Sequence, residues 1–351
     1  MTGNKKKKRK DTISLLAGLM VAAIALAVAF YGIVAYATIR PGEGKTPEPQ
    51  YESDSASESS IPEDTEVQTP EKTDAPTDPP LHTVTPDQVT VETKPVEELR
   101  LIQQPDSDTI YQVGEETSQD ELRYPTDLPA ELDTDGRSAA ANAAVQAFAE
   151  NGTAVTVYCA GAEEKKVSFI FYAGQEEGCT ESVIQILKTY GIRSTFFVSH
   201  YYAAHSADRV KQMIAEGHEL GNYSYSCPAD GIISGRSLTD IVSDAINEHN
   251  YIRAAFNTEL QKYSFPAGAY SLAAGRVLAE AGYEVCFPSV LLDDIGDEKT
   301  FDRGALFASL KASLHPGAVY AFHLENGIAA EVLIDLISYA TQQGYTITQL
   351  N

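Results

Sequence analysis

Apolar residues recur along residues 153–351 in two rhythms. Short runs such as KVSFIFY, IRSTFFVS and GAVYAFH are nearly continuous in Val, Ile, Phe and Tyr, as strands buried on both faces are. Between them lie longer stretches whose apolar positions return every three or four residues. TESVIQILKTYG carries Val183, Leu187 and Tyr190 on one face and stops at Gly191. SADRVKQMIAEG, opened by Ser206, carries Val210, Met213 and Ile214. Ser237 and Asp240 make a capping-box-like start for a long helix toward Phe256. The patterning predicts strands over TAVTVYC, KVSFIFY, IRSTFFVS, HELGNY, YSFP, YEVCFPSV, GAVYAFH and YTITQL. It predicts further helices over LAAGRVLAEAG, FDRGALFASLKASL and IAAEVLIDLISYATQQG. Strands separated by helices predict an α/β domain, a parallel sheet covered by helices that is either doubly wound or closed as a barrel. In both architectures function gathers in the loops after the strands, which here begin at Tyr172, Ser199, Tyr223, Pro266, Pro288 and His323.

Upstream the pattern changes twice. From Ile13 to Ile39 no residue is charged, a run about 40 Å long as a helix and enough to cross a bilayer. The basic cluster Lys5–Lys10 precedes it, which predicts a cytoplasmic tail over residues 1–12, one transmembrane helix over 13–39 and an extracytoplasmic remainder. A cleaved signal peptide is the rival reading, because Ala35-Tyr36-Ala37 resembles a cleavage site, but the apolar run is far longer than such peptides use. Residues 40–135 are rich in Pro, Glu, Asp, Ser and Thr, and are expected to be a mostly disordered linker. Short apolar pieces within them (EELRLIQ, DTIYQVG, ELRYPTDLP) could lie against the folded domain, expected over 136–351.

Charge follows the same division. The formal net charge of −24 splits into +6 over residues 1–40, −20 over 41–135 and −10 over 136–351. An acidic surface excludes nucleic acid as a natural partner. The four cysteines, Cys159, Cys179, Cys227 and Cys286, are irregularly spaced and imply neither a disulfide framework nor a zinc knuckle.

The segments KKVSFIFYAG, ILKTYGIRSTFFVS, MIAEGHELGNYSYSCP, FPAGAYS, LAEAGYEVCFPSV and PGAVYAFH follow one another in the order and spacing of the polysaccharide deacetylase family. This is the NodB-homology domain, or carbohydrate esterase family four, and the resemblance covers about residues 150–351. It implies a distorted seven-stranded (β/α) barrel. For active members it implies metal-dependent removal of acetyl groups from sugars such as N-acetylglucosamine, often on bacterial surfaces.

The resemblance also implies where the chemistry should sit, and most of it is missing. The family's Asp–Asp pair, a base and a metal ligand, falls on Tyr172 and Ala173. Its two metal-binding His fall on Tyr223 and Cys227, its loop Arg on Ser264, and its Tyr on Ala267. A later Trp and Asp fall on Pro288 and Leu291, with Asp293 and Asp294 close behind, and only His323 stands at a catalytic position. An unperturbed phenol is a poor base at neutrality, and a lone thiolate falls short of the three or four ligands zinc takes. The expectation is a membrane-anchored pseudoenzyme with no metal and His323 as a vestige. Tyr172, Tyr223, Tyr225 and Tyr270 are candidates to bind cell-wall or surface polysaccharide. Two alternatives stay open: a residual or altered deacetylase, with Cys227 and His323 as nucleophile and base, and a structural or protein-interaction module of the cell envelope.

Overall fold

The computed structural model describes residues 83–92, 121–124, 139–150, 164–175, 177–229, 231–292, 302–325 and 327–350. All belong to the unit Pro76–Asn351; the unit Met1–Ala75 contains none of them. The expected membrane span over 13–39, the strand over TAVTVYC, Cys159, Asp293 and Asp294 lie outside the described residues. Among the described residues no helix is long and apolar enough to cross a membrane.

In chain order the elements are β1 (Val91–Glu92), β2 (Leu122–Arg123), α1 (Ala139–Glu150), β3 (Lys166–Ala173), α2 (Thr180–Thr189), β4 (Thr195–Val198), α3 (His200–His205) and α4 (Ala207–Ala215). There follow β5 (Glu219–Asn222), α5 (Leu238–Phe256), β6 (Lys262–Tyr263), β7 (Ala269–Tyr270), α6 (Leu272–Glu280), β8 (Glu284–Val285) and β9 (Val290–Leu291). The chain closes with α7 (Arg303–Ala312), β10 (Ala318–His323), α8 (Ile328–Gln342) and β11 (Thr346–Thr348).

Seven strands pair in parallel in the order β9, β10, β3, β4, β5, β6, β8, and β11 and β1 extend the sheet from β3. Strand β3 is the centre, with β10 in register along Val167–Tyr172 and β4 along Ile170–Ala173. Its side chains alternate between two buried clusters, as a strand's must. Ile170 and Tyr172 join the smaller one with Phe197, Tyr223 and Leu291, while Phe169, Phe171 and Ala173 join the larger one beneath the helices. In the latter, Phe171 stacks on Phe196 at 5.0 Å and on Phe322 at 5.7 Å. The layers are thus tied by aromatic contacts as well as buried area.

The helix signals are used as read. Ser237 and Asp240 form the reciprocal capping box of α5: the Ser237 hydroxyl accepts from Asp240 N at 3.1 Å, and the Asp240 carboxylate accepts from Ser237 N at 3.2 Å. Helix α2 carries Glu181 in its first turn and Lys188 in its last, where the helix dipole favours each sign. Gly191, at φ +67, turns the chain toward β4 in a conformation that other residues resist.

Three features depart from the sequence reading. YEVCFPSV is not one strand. Its start, β8, pairs with β6, and its end, β9, pairs with β10 on the far side of the run, so residues 286–289 cross from one edge to the other. Pro288, which has no N–H to donate, sits in that crossing. Helix α3 was not foreseen; HYYAAH is short and aromatic, and Ser199 caps it by accepting from Tyr202 N at 3.1 Å. Finally, residues 83–92, a part of the expected linker outside the apolar pieces, are ordered against the domain, as are residues 121–124 of ELRYPTDLP, one of the pieces expected to lie there. β1 pairs with β11, and Val84 N donates to the Ser338 hydroxyl at 3.2 Å. β2, from ELRYPTDLP, pairs antiparallel with β7. Backbone pairing to exposed strand edges, which needs few apolar side chains, explains how so polar a stretch docks.

Candidate functional site

Register brings the candidate residues together. Tyr172 stands opposite Phe197 on β4 and His323 on β10, and Asn222 on β5 stands opposite Tyr263 on β6. The strands therefore end at one level, and their loops enclose a cavity of about 170 Å³. Tyr172, Tyr223, Ser264, Leu291 and His323 all line it, as does Tyr124, which no motif pointed to. Ala173 does not, because alternation along β3 sends it to the helix-side cluster.

The replaced side chains bond to one another. The Tyr172 ring stacks on Tyr223 with centroids 4.7 Å apart and lies 5.2 Å from the His323 ring. Its hydroxyl shares a 3.0 Å hydrogen bond with Ser264 Oγ, which lies 3.4 Å from the Cys286 carbonyl. Burial pushes both phenols well above their ordinary range, so neither ionises to act as a base near neutrality. Burial, then the nearby Glu325 and Asp244 carboxylates, push the Cys227 thiol up to about 12. A thiol that keeps its proton at neutrality attacks only where a base takes that proton as it does so. Glu325 holds the loop after β3, accepting from Gly174 N at 3.1 Å and Gln175 N at 3.3 Å. Cys179, Cys227 and Cys286 are thiols rather than disulfides.

The loop Tyr223–Cys227 owes its shape to Asp244, on α5. That carboxylate accepts from Ser224 Oγ at 2.6 Å, Tyr225 N at 2.7 Å and Ser226 N at 3.1 Å, and Arg236 approaches it at 3.5 Å. These bonds hold Ser224 and Cys227 at φ +75 and +35, backbone values unusual for non-glycine residues. One turn along α5, Glu248 is fully buried, and among the described residues neither of its oxygens has a hydrogen-bond partner. Burial and the neighbouring Asp244 push it up to about 9. His200 Nδ1 lies 3.9 Å away. Nothing in the sequence marks Asp244 or Glu248 among 50 acidic residues, because their burial depends on the sheet that α5 covers.

The tyrosines divide by exposure. Tyr172, Tyr223 and Tyr270 are buried, so a polymer cannot lie across their faces, and Tyr270 packs against Phe287, with ring centroids 4.9 Å apart. Tyr225 is 39% exposed and stacks on His200 at 4.0 Å. Tyr201, on α3, is 51% exposed and stacks on His205 at 4.0 Å. Among the described residues, the exposed aromatic rings are therefore on α3 and the loop after β5.

The donor set at the family's metal positions is a methyl group, a phenol and a single thiol. These residues do not fit a divalent ion, which takes carboxylate, imidazole or thiolate. Among the described residues, no group of three His, Cys, Asp or Glu side chains is placed to hold a metal ion.

Comparison with known proteins agrees with the fold and the motif order. Residues 159–286 match the family model described as polysaccharide deacetylase. The peptidoglycan-N-acetylmuramic acid deacetylase PdaA of Bacillus subtilis is 28% identical over 194 residues, covering 55% of this chain and 73% of that protein. A chitooligosaccharide deacetylase of Bradyrhizobium is 26% identical over 160 residues, covering 45% of this chain and 70% of its own. The solved structure of B. subtilis PdaA, a family 4 carbohydrate esterase, superposes with a TM-score of 0.57 at 22% identity. It covers 66% of this chain and 95% of that one, and shows the common fold. Parallel strands, loop order and sequence thus converge: residues 159–286 form a polysaccharide deacetylase domain of NodB type.

Proposed function

We propose that this is a membrane-anchored, extracytoplasmic bacterial protein whose deacetylase-type domain binds cell-wall or surface glycan without hydrolysing it. The observation that carries the reading is the occupation of the metal positions. Ala173, Tyr223 and Cys227 stand where the family places a carboxylate and two imidazoles, and Tyr172 fills the position of the base with a ring bonded to Ser264. Amide hydrolysis needs a polarised carbonyl, an activated water and a proton for the leaving amine. Of the groups that would supply these, only His323 remains, so binding outlasts chemistry. Relatives named for peptidoglycan and chitooligosaccharide support a glycan as the ligand. The charge-free run over 13–39 supports the anchor. The run from β9 to β8, bridged by residues 286–289, is read as the family's distorted seven-stranded barrel.

Within this reading the exposed Tyr225 is the contact residue, and the buried Tyr172 and Tyr223 shape the cavity behind it. Tyr225→Ala is expected to lower retention of the purified chain on peptidoglycan or chitin about fivefold, the loss of roughly 1 kcal/mol of stacking. Its unfolding free energy should stay within about 0.5 kcal/mol of the parent, as for other exposed positions. Equal retention of parent and variant would reject Tyr225 as the glycan contact. No retention of either would favour the protein-interaction reading.

A further inference from the structure

We propose that Leu122–Tyr124 is a strap that closes the cleft, and that Tyr124 decides what can enter it. The segment comes from outside residues 159–286, yet it joins the two lips of the site. On one lip, β2 adds antiparallel to β7, and Tyr124 N donates to the Gly268 carbonyl at 2.8 Å. On the other, the Tyr124 hydroxyl donates to the Pro288 carbonyl, and its ring stacks on Phe287 with centroids 5.0 Å apart. Pro288 and Phe287 belong to the crossing between β8 and β9, so one residue, by its backbone on one lip and its side chain on the other, bridges loops that different strands carry.

The lip is built for this close approach. Gly268 has φ +63, and a Cβ there would stand 3.0 Å from the Tyr124 carbonyl oxygen and 3.4 Å from its Cβ. Tyr124 itself is buried and forms a wall of the cavity. Strand β2 is two residues long, and both its side chains are exposed. Its tie to the core is the Tyr124 ring, which joins the larger buried cluster with Tyr270 and Phe287.

Size gives the strap its consequence. At about 170 Å³ the cavity that Tyr124 walls falls below the roughly 300 Å³ at which pockets for drug-sized ligands begin. On this proposal a ligand too large for that space reaches the buried Ser264 by displacing Tyr124, so the strap and the ligand compete for one place. The contacts stand without the glycan reading, and the test uses no glycan.

In the purified full chain carrying Ser264→Cys, modification of residue 264 by a small methanethiosulfonate reagent is followed by peptide mass spectrometry, with Cys179 as an internal control. Adding Tyr124→Ser should speed modification at 264 at least tenfold while Cys179 stays slow. Gly268→Ala, which crowds the strap off its lip while residue 124 stays a tyrosine, should act in the same direction. If Tyr124→Ser also exposes Cys179, the fold itself is damaged and the Gly268→Ala rate decides. Equal rates at residue 264 with and without the strap contacts would overturn the proposal.

Discussion

Glu248→Gln is expected to stabilise the protein by an amount that grows as the pH rises. Glu248 is fully buried, its oxygens lack hydrogen-bond partners among the described residues, and burial and Asp244 push it from the ordinary 4.5 up to about 9. The native state therefore holds this proton while the unfolded chain releases it above about pH 4.5, so between these values the unfolded chain binds fewer protons. Stability must fall with rising pH across that window, at roughly 1.4 kcal/mol per unit. Below it, both states are protonated and the cost vanishes. Glutamine carries no such titration. Relative to the parent, the variant should gain about 3 kcal/mol between pH 5.5 and pH 8 in urea unfolding. His200, 3.9 Å away, sharpens the test. Burial, then His205, lower its affinity for a proton, so it is not a standing cation for Glu248. If parent and variant curves run parallel, Glu248 is ionised and paired with His200 in the native protein.

Asp244→Ala should cost about 3 kcal/mol at neutral pH. The change leaves two backbone N–H groups and a buried hydroxyl without their acceptor and removes the partner of Arg236, and each unmet buried donor carries a penalty of roughly 1–3 kcal/mol. Solvent entering the loop recovers part of that sum. Asp244→Asn keeps one acceptor oxygen and should lose about half as much. A loss below about 1 kcal/mol in Asp244→Ala would mean that the loop holds its positive-φ residues without the carboxylate. The two acids are coupled. Removing Asp244 should also lower the affinity of Glu248 for its proton, so the pH slope of the double variant differs from the sum of the single ones.

Much of the architecture was legible because it depends on local periodicity. The apolar runs at KVSFIFY and GAVYAFH became β3 and β10, and Ser237 with Asp240 opened α5 as a capping box. What stayed hidden depends on partners. YEVCFPSV reads as one strand until its two ends are seen to pair with different neighbours, and periodicity carries no partner information. The site was legible in part. The family order placed Tyr172, Tyr223, Ser264, Leu291 and His323 around one cavity, and all five line it. It did not show that Tyr172 and Tyr223 are buried in a stack, that Ala173 faces the helices, or that Tyr225 and Tyr201 are exposed. Asp244, Glu248 and Tyr124 act through burial and long-range contact, which leave no mark on the residues beside them in the chain.

The central claim is that the vacated metal positions make this domain a binder rather than a hydrolase. The most direct measurement is metal analysis of the purified chain, together with acetate release from N-acetylated oligosaccharides with and without added zinc. The expected result is no stoichiometric metal and no acetate above the uncatalysed rate in either condition. One equivalent of tightly held zinc, or acetate release that depends on added metal, would contradict it.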